Sequence, residues 1–330
     1  MKTSIDLGLR ASALAFLVVL EFGLPLAKGE DFEAVSSKVS RDYVRKKTPR
    51  GLVIPETYAF AKGGYWSGPF SDATIDRLEF IDIARTLAVP LASQNYIPTD
   101  DQKKTELLLV VYWGTTYAPE HASESNAYNL AQKKASDEQQ ANQALTDAEI
   151  AAGQKQASNS TDAQVRAAKV FEAQSADALS ASLAVVQSEN RTRDEANLRN
   201  ASMLGYDSEW NALMGGLSGP AQDFRRSRLL SELEEARYFV VLMAYDYQLL
   251  VKEKKHKLLW ETRFSIRQRS HAFDRQLAAM TEQASKFFGL DSNGLTRHPL
   301  PEGKVELGEM RALGVVQGDP PRETPVSSGK

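Results

Sequence analysis

The chain has 330 residues, 42% of them hydrophobic and 25% charged, which is typical of a protein with a buried core. Its formal net charge of −3 is nearly neutral, so it argues neither for a nucleic-acid-binding protein nor for an acidic solubilising chain. It has no cysteine, which excludes disulfides, thiolate metal sites, cysteine nucleophiles and the acylated cysteine of a bacterial lipoprotein.

Residues 1–29 have the pattern of a secretory signal peptide. Lys2 and Arg10 supply positive charge, and an apolar run follows from Ala11 to Leu20. Residues 27–29 form a small-x-small cleavage site, so the mature chain is predicted to begin at Glu30. An uncleaved anchor is the alternative, but about ten apolar residues are too few to span a bilayer. We therefore expect a periplasmic or secreted protein with no transmembrane segment in the mature chain.

Residues 30–50 are polar and basic, and they are predicted to form a flexible or partly helical lead-in. A short strand is expected around Thr57–Lys62. The glycines after it predict a loop that carries Tyr65, Trp66 and Phe70. These aromatic side chains could line the lip of a ligand pocket, or they could fold back on the sheet as a lid.

A helix and a central strand are predicted next. Ser71 or Asp72 can cap a helix whose apolar residues recur at helical spacing, and Pro90 is expected to kink or end it. Residues 95–101 favour a turn. The run from 107 to 113 contains no polar interruption, which predicts a strand with most of both faces covered.

The composition changes abruptly between Glu120 and Asn200, where about a quarter of the residues are alanine and large apolar residues are sparse. Alanine, Gln and Glu favour helix, and Gly153 with Asn159-Ser160 offers a break. The segment 120–220 is therefore predicted to be a helical insert with two long helices, an antiparallel coiled-coil hairpin that projects from the sheet domain. A largely disordered segment is the alternative, because little apolar surface is available for burial.

The pattern of residues 238–267 predicts a β-hairpin. Apolar residues alternate as far as Leu249, and the alternation resumes at Leu258 after a short basic turn. The second strand is apolar on one side only, which indicates that one face meets the core and the other meets water. A closing helix is predicted from Phe273, with Gly289 as its stop.

In chain order these elements are β–α–β, a helical insert and β–β–α. This order predicts an α+β fold with a small mixed sheet, helices on one face and a long helical insertion. Residues 51–119 and 221–290 would form one discontinuous domain. Residues 291–330 are predicted to be a mostly disordered tail, with an edge strand at 305–316.

Three core motifs stand in this order: Tyr58-Ala59-Phe60, the apolar strand Leu107–Tyr112, and Leu258-Leu259-Trp260-Glu261. With a signal peptide in front, the layout resembles a widespread family of uncharacterised bacterial envelope proteins, many of them lipoproteins. The lipid-bearing cysteine is missing here, and the resemblance does not extend to the Ala/Gln-rich insert. It implies a periplasmic or secreted protein whose function is not enzymatic.

The segment 252–275 is strongly basic, with four Lys and four Arg against three acidic residues. Such a patch could bind another envelope protein or an anionic envelope component, and the alternative is a solvated face that keeps the hairpin in solution. Together with the aromatic loop, it gives the candidate binding residues Lys252, Lys254, Lys255, His256, Arg263, Arg267, Tyr65 and Trp66.

No catalytic motif is found in the sequence. The four histidines are far apart, and Glu120-His121 with Glu124 lacks the apolar context of a metal site. Residues 215–219 are rich in glycine but lack the Lys-Ser/Thr that follows a phosphate loop. No catalytic residue, metal or cofactor is therefore predicted, and nucleic acid is not an expected partner.

Two functional hypotheses follow from the sequence. The first is an exported, non-catalytic interaction or assembly module in which the sheet domain is the scaffold and the insert is a contact arm. The second is an envelope enzyme or small-ligand-binding protein with a pocket near Tyr65, Trp66 and Phe70. A deep pocket with convergent ionisable side chains would favour the second hypothesis.

Overall fold

The computed structural model describes residues 32–154, 159–216 and 219–299. The predicted signal peptide and the predicted edge strand at 305–316 lie outside these residues. In the described part of the chain, seven strands form one mixed sheet in the order β3-β2-β4-β5-β6-β1-β7. The strands are β1 (Phe32–Val39), β2 (Glu56–Trp66), β3 (Tyr96–Pro98), β4 (Leu107–Thr115), β5 (Arg237–Asp246), β6 (Leu258–Arg267) and β7 (Leu295–Pro299).

Strand β2 runs parallel to β3 and to β4, and the other neighbouring strands pair antiparallel. This arrangement of one mixed sheet with helices confirms the predicted α+β fold. The helices in the described ranges are α1 (Ala73–Asp76), α2 (Phe80–Ser93), α3 (Asn126–Gln154), α4 (Asn159–Leu204), α5 (Asp207–Met214), α6 (Pro220–Leu233), α7 (Tyr247–Glu253) and α8 (Phe273–Ser285).

Helices α2 and α8 cover one face of the sheet, which we call the covered face. They bring fully buried Ile83, Leu87 and Met280 onto it. Trp260 of β6 is completely buried there, with its ring stacked 5.8 Å from that of Phe288. The buried side chains that alternate along β4 and β6 therefore form the main core together with the apolar faces of α2 and α8.

The opposite face is covered over only part of its width. Apolar residues at the end of α4 and in α6, such as Leu204 and Leu233, pack there against Phe239 and Val241 of β5. Helices thus lie on both faces, where the sequence predicted one. The reason is that the last turns of the insert carry buried apolar side chains and belong to the core.

Helices α3 and α4 form the predicted antiparallel hairpin. Glu149 near the end of α3 lies 3.5 Å from Lys169 near the start of α4, and Ser125 at the other end bonds to Glu189. The α3–α4 hairpin is attached to the sheet domain near the end of α4. There, Asn200 Nδ2 donates a hydrogen bond to the carbonyl of Leu233 at 2.8 Å. We call residues 126–154 and 159–192 the arm.

The lead-in predicted for 30–50 is wrong in its first half, because residues 32–39 form strand β1. This strand lies between β6 and β7 and pairs with both. Because several residues of β1 are polar, the sequence did not indicate a strand here. Ser37 is 1% exposed, and its hydroxyl lies 3.1 Å from the carbonyl oxygen of Glu261 and 3.0 Å from that of Phe287, either of which can accept its hydrogen.

The glycine loop predicted after Lys62 is also wrong, because β2 continues to Trp66. The register of β2 against β4 shifts between Lys62 and Gly64, which marks a bulge in the strand. A side chain at Gly63 would come within 2.6 Å of the Tyr112 ring. Gly63 therefore allows the Tyr112 ring to lie close to the backbone of β2, and the strand continues beyond this glycine.

The β5–β6 pair confirms the predicted hairpin, but its first strand ends at Asp246. The Asp246 side chain accepts a hydrogen bond from the Leu249 backbone N–H at 2.9 Å and so caps α7. Residues 247–253 are consequently helical, where the alternation had predicted strand.

Three further boundaries differ from the sequence prediction. Asp72 caps the short helix α1, while α2 begins later and passes through Pro90 in its last turn. The turn predicted at 95–101 contains β3, and residues 295–299, predicted to belong to the tail, form strand β7.

Candidate functional site

The two sides of strand β4 differ in burial: one is covered and the other is partly exposed. Its residues 107, 109, 111 and 113 are at most 2% exposed and face α2 and α8. Leu108, Val110 and Tyr112 alternate with them and are only half-buried. Successive side chains of a strand point to opposite sides, so these three lie on the other face. The sequence predicted cover on most of both faces, and on this face the three side chains are partly exposed.

The strand register extends this half-exposed surface to the neighbouring strands. Leu108 is opposite Ala59 of β2 and Tyr245 of β5, and Val110 is opposite Ala61 and Met243. Directly paired residues share a face. We call this surface the open face: Ala59, Ala61, Leu108, Val110, Tyr112, Met243 and Tyr245, bordered by Trp66 and Ile97, which are 48% and 47% exposed.

Aromatic rings lie at both ends of the open face. Trp66 stacks on Tyr112 with 5.5 Å between the ring centroids and lies 5.9 Å from Phe239. At the other end, the imidazole of His256 lies edge-on to Tyr245 at 6.3 Å. The open face is therefore an aromatic and aliphatic surface with the basic tip of the β5–β6 hairpin at one end.

The end of α4 reaches the border of this surface, because Tyr112 and Met243 pack against the cluster that contains Leu204. The Arg263 guanidinium binds the carbonyls of Ser202 and Met203 and forms an ion pair with Glu261 at 3.1 Å. These contacts hold the last turn of α4 over β5 and β6. Strands β2 and β4 thus have α2 and α8 on one side and an apolar, half-exposed surface on the other.

The tip residues predicted to bind lie around the end of α7. Lys252 is in its last turn, and Lys254 follows it in a left-handed conformation with φ of 56°. Lys255 forms an exposed ion pair with Glu253 at 2.9 Å. His256 borders the open face through its contact with Tyr245.

The two predicted arginines do not join this tip. Arg263 lies five residues into β6, about 17 Å along the strand, and Arg267 lies farther on. Arg263 holds the end of α4, and Arg267 forms an ion pair with Glu235. The basic residues from 252 to 267 therefore do not form one patch.

Tyr65 and Trp66 point to opposite faces of the sheet. The Tyr65 ring stacks on Trp113 of the covered face at 5.8 Å, and its hydroxyl donates to Asp76. Burial and this hydrogen bond raise the pKa of Tyr65. Trp66 belongs to the border of the open face. The two residues consequently do not line a common pocket with Phe70, which is 82% exposed.

A polar cluster beside α1 joins Asp72 to Tyr238 of β5. Asp72 accepts hydrogen bonds from the Tyr238 hydroxyl, from Gln268 at 3.0 Å and from Thr74 at 2.7 Å. Burial raises the pKa of Asp72, but these hydrogen bonds outweigh it and lower that pKa to about 2. Burial and the bond to Asp72 raise the pKa of Tyr238 to about 12. The cluster caps α1 and ties it to β5.

Two surface clefts lie away from the loop predicted to form a pocket. One is beside β3 and contains Asp100 as its single ionisable group apart from Tyr58. The other is at the base of the arm, where Arg193 donates to the carbonyl of Glu120 at 3.0 Å. The ionisable residues of the second cleft, apart from Tyr117, are Glu120, Glu189 and Arg193.

Within residues 32–154, 159–216 and 219–299, no group of three or more His, Asp or Glu residues could hold a metal ion. His121 lies near Glu120 and Glu124 in sequence, but its Nδ1 bonds to Glu234 at 2.8 Å. Among the helices that the structure describes, none has the length and apolar character needed to cross a membrane.

No model of a known protein family matches the chain, and no curated protein matches it. The role of the open face therefore rests on its geometry. Its sequence signal was the apolar run of β4 next to the small residues Ala59 and Ala61. A run without polar residues suggested cover on both sides, and only the tertiary structure of the described residues shows that one side is partly exposed.

Proposed function

We propose that this is an exported, non-catalytic envelope protein that acts as an interaction or assembly module, and that a partner protein binds its open face. The observation that carries the proposal is the partly exposed apolar row on β2, β4 and β5, with Trp66 and Ile97 about half exposed at its border. Contiguous exposed apolar surface of this kind usually marks an interaction site, because its burial removes apolar area from water.

An amphipathic helix of the partner is the occupant that fits this surface. Strands β2 and β5 lie on either side of β4, so they are about 10 Å apart, which matches the diameter of an α-helix. The covered face already packs two helices on the same strands. A helix laid along β4 would complete the corresponding layer on the open side.

The charges at one end of the open face favour a partner helix with an acidic end. Lys103, Lys252 and Lys254 lie around the start of β4 and the end of α7, and Gln248 joins these segments by a bond to the Gln102 carbonyl at 2.9 Å. Within the described residues, none of the three lysines has a carboxylate partner. Unpaired cations at the rim steer and orient an anionic partner.

The export part of the proposal has a separate test. Lys2, Arg10 and the apolar run 11–20 motivate cleavage before Glu30. Mass spectrometry of the native protein should give a mature N-terminus near Glu30. A mature pool that retains Met1 would contradict cleavage.

The open face can be tested with a matched pair of substitutions. Val110→Glu places a charge in the middle of the open face, whereas Val89→Glu places one on α2, where Val89 is 72% exposed. Tagged wild-type protein and both variants are used to capture partners from envelope extracts, and circular dichroism checks their folding. A protein retained by wild type and Val89→Glu but lost with Val110→Glu supports the proposal. Equal retention by all three contradicts it.

The hypothesis of an enzyme or small-ligand-binding protein has no comparable support. It required Tyr65, Trp66 and Phe70 to surround one pocket. The first two side chains point to opposite faces of the sheet.

A further inference from the structure

Met243 is the methionine of the open face. It lies in β5, directly opposite Val110 of β4 on one side and Glu261 of β6 on the other. Its two neighbours in sequence, Leu242 and Ala244, are completely buried on the covered face, whereas Met243 is only half-buried. Its thioether therefore belongs to the partly exposed apolar row, at the border where that row meets the end of α4.

The other methionines in the described ranges lie elsewhere. Met280 of α8 is completely buried in the core of the covered face. Met203 and Met214 pack against the apolar cluster of α4, α5 and α6, on the part of the sheet that these helices cover. Within the described residues, Met243 is consequently the one oxidisable sulfur of the open face.

The Met243 sulfur already has a polar partner. The Tyr245 hydroxyl, from the next residue on the same face of β5, donates to Sδ at 3.8 Å. Burial raises the pKa of Tyr245, so this hydroxyl keeps its hydrogen at neutral pH. A thioether is a weak acceptor, and a sulfoxide oxygen on the same sulfur is a stronger one. A hydrogen-bond donor thus stands beside the atom that oxidation makes polar.

We propose that Met243 is an oxidation site, and that its conversion to the sulfoxide weakens partner binding at the open face. The inference rests on the proposed function of that face. With hydrogen peroxide as the oxidant, a sulfur lone pair attacks one peroxide oxygen, and the S–O bond forms as the O–O bond breaks. The sulfur is oxidised and the peroxide is reduced. The departing hydroxide takes the hydrogen of the transferred oxygen and leaves as water.

The sulfoxide changes the character of the open face beside Val110. A partner helix that covers it removes water from a polar oxygen, and burying a polar group without its full hydrogen bonds costs binding free energy. The Tyr245 hydroxyl replaces only part of that hydration. Because Met243 is half-buried, the added oxygen can point to solvent in the free protein. Oxidation is therefore expected to act on binding and not on folding.

Peptide mapping of the folded protein after brief exposure to hydrogen peroxide tests the site itself. Sulfoxide should form at Met243 while Met280 stays unmodified, and the circular dichroism spectrum should not change. Met243→Leu is the matched control, because leucine keeps the apolar volume and has no sulfur. If Met243 resists peroxide as fully as Met280 does, the inference is overturned, whatever the open face binds.

The second readout is binding of the partner captured in the open-face experiment, added after the peroxide is removed. Treated wild type should bind at least about tenfold more weakly, and treated Met243→Leu should bind as before. An equal loss in both proteins, or no loss in wild type, would overturn the inference. If Val110→Glu weakens binding and oxidation does not, only this inference fails. No effect of Val110→Glu would remove the proposed function, and the role of the sulfoxide in binding with it.

Discussion

Trp260→Ala is expected to lower the free energy of unfolding by about 3–5 kcal/mol, as large aromatic truncations in a core do. Trp260 is completely buried on the covered face, stacked on Phe288 and 5.8 Å from the Tyr96 ring. Its removal leaves a cavity between β6, β3 and the segment after α8. Urea unfolding followed by circular dichroism measures the change.

Trp66→Ala is the matched control for this substitution. Trp66 is 48% exposed at the border of the open face, so its truncation should cost much less. Similar losses for Trp66 and Trp260 would mean that the open face is covered in solution. An unchanged stability for Trp260→Ala would place that side chain outside the core.

Glu33→Gln is expected to stabilise the protein by about 3 kcal/mol at pH 7. Glu33 of β1 is 1% exposed, and among the described residues neither of its carboxylate oxygens has a hydrogen-bond partner. Burial raises the pKa of Glu33 to about 9, against the opposing influence of Lys286 and Arg237. Folding at neutral pH therefore requires this carboxyl group to take up a proton.

The pH dependence of this effect follows from the proton uptake. Between pH 4.5, the ordinary pKa, and about 9, the folded state binds more protons than the unfolded chain. Stability due to Glu33 is thus present at low pH and decreases as the pH rises. The advantage of Glu33→Gln should be near zero at pH 4.5 and grow up to pH 8. An advantage independent of pH would contradict the assignment, and the exposed Glu253→Gln is the control.

Periodicity was enough to predict the elements whose pattern is local. The uninterrupted run in β4 and the alternation in β6 predicted strands, and the alanine-rich composition predicted the arm. Strand β1 was missed because Ser36, Ser37 and Lys38 are polar in sequence. Their strand conformation depends on pairing with β6, more than 200 residues away. Long-range pairing of this kind leaves no local signal.

The candidate site was harder to predict than the fold for the same reason. Tyr65 and Trp66 were assigned to one loop because glycines usually break a strand, yet Gly63 only makes room for Tyr112. The open face is a part of the sheet that the helices of the described residues leave partly exposed. The pattern of residues in a strand does not report whether another element covers it. Likewise, the burial of Glu33 depends on β6, β7 and α8 together.

The central claim is that a partner protein binds the open face, and the affinity of the captured partner tests it most directly. Isothermal titration of that partner into wild-type protein, Val110→Glu and Val89→Glu gives three dissociation constants. We predict that Val110→Glu weakens binding at least tenfold, a loss of about 1.4 kcal/mol or more, while Val89→Glu leaves the constant unchanged. Equal dissociation constants for Val110→Glu and wild type would contradict the account.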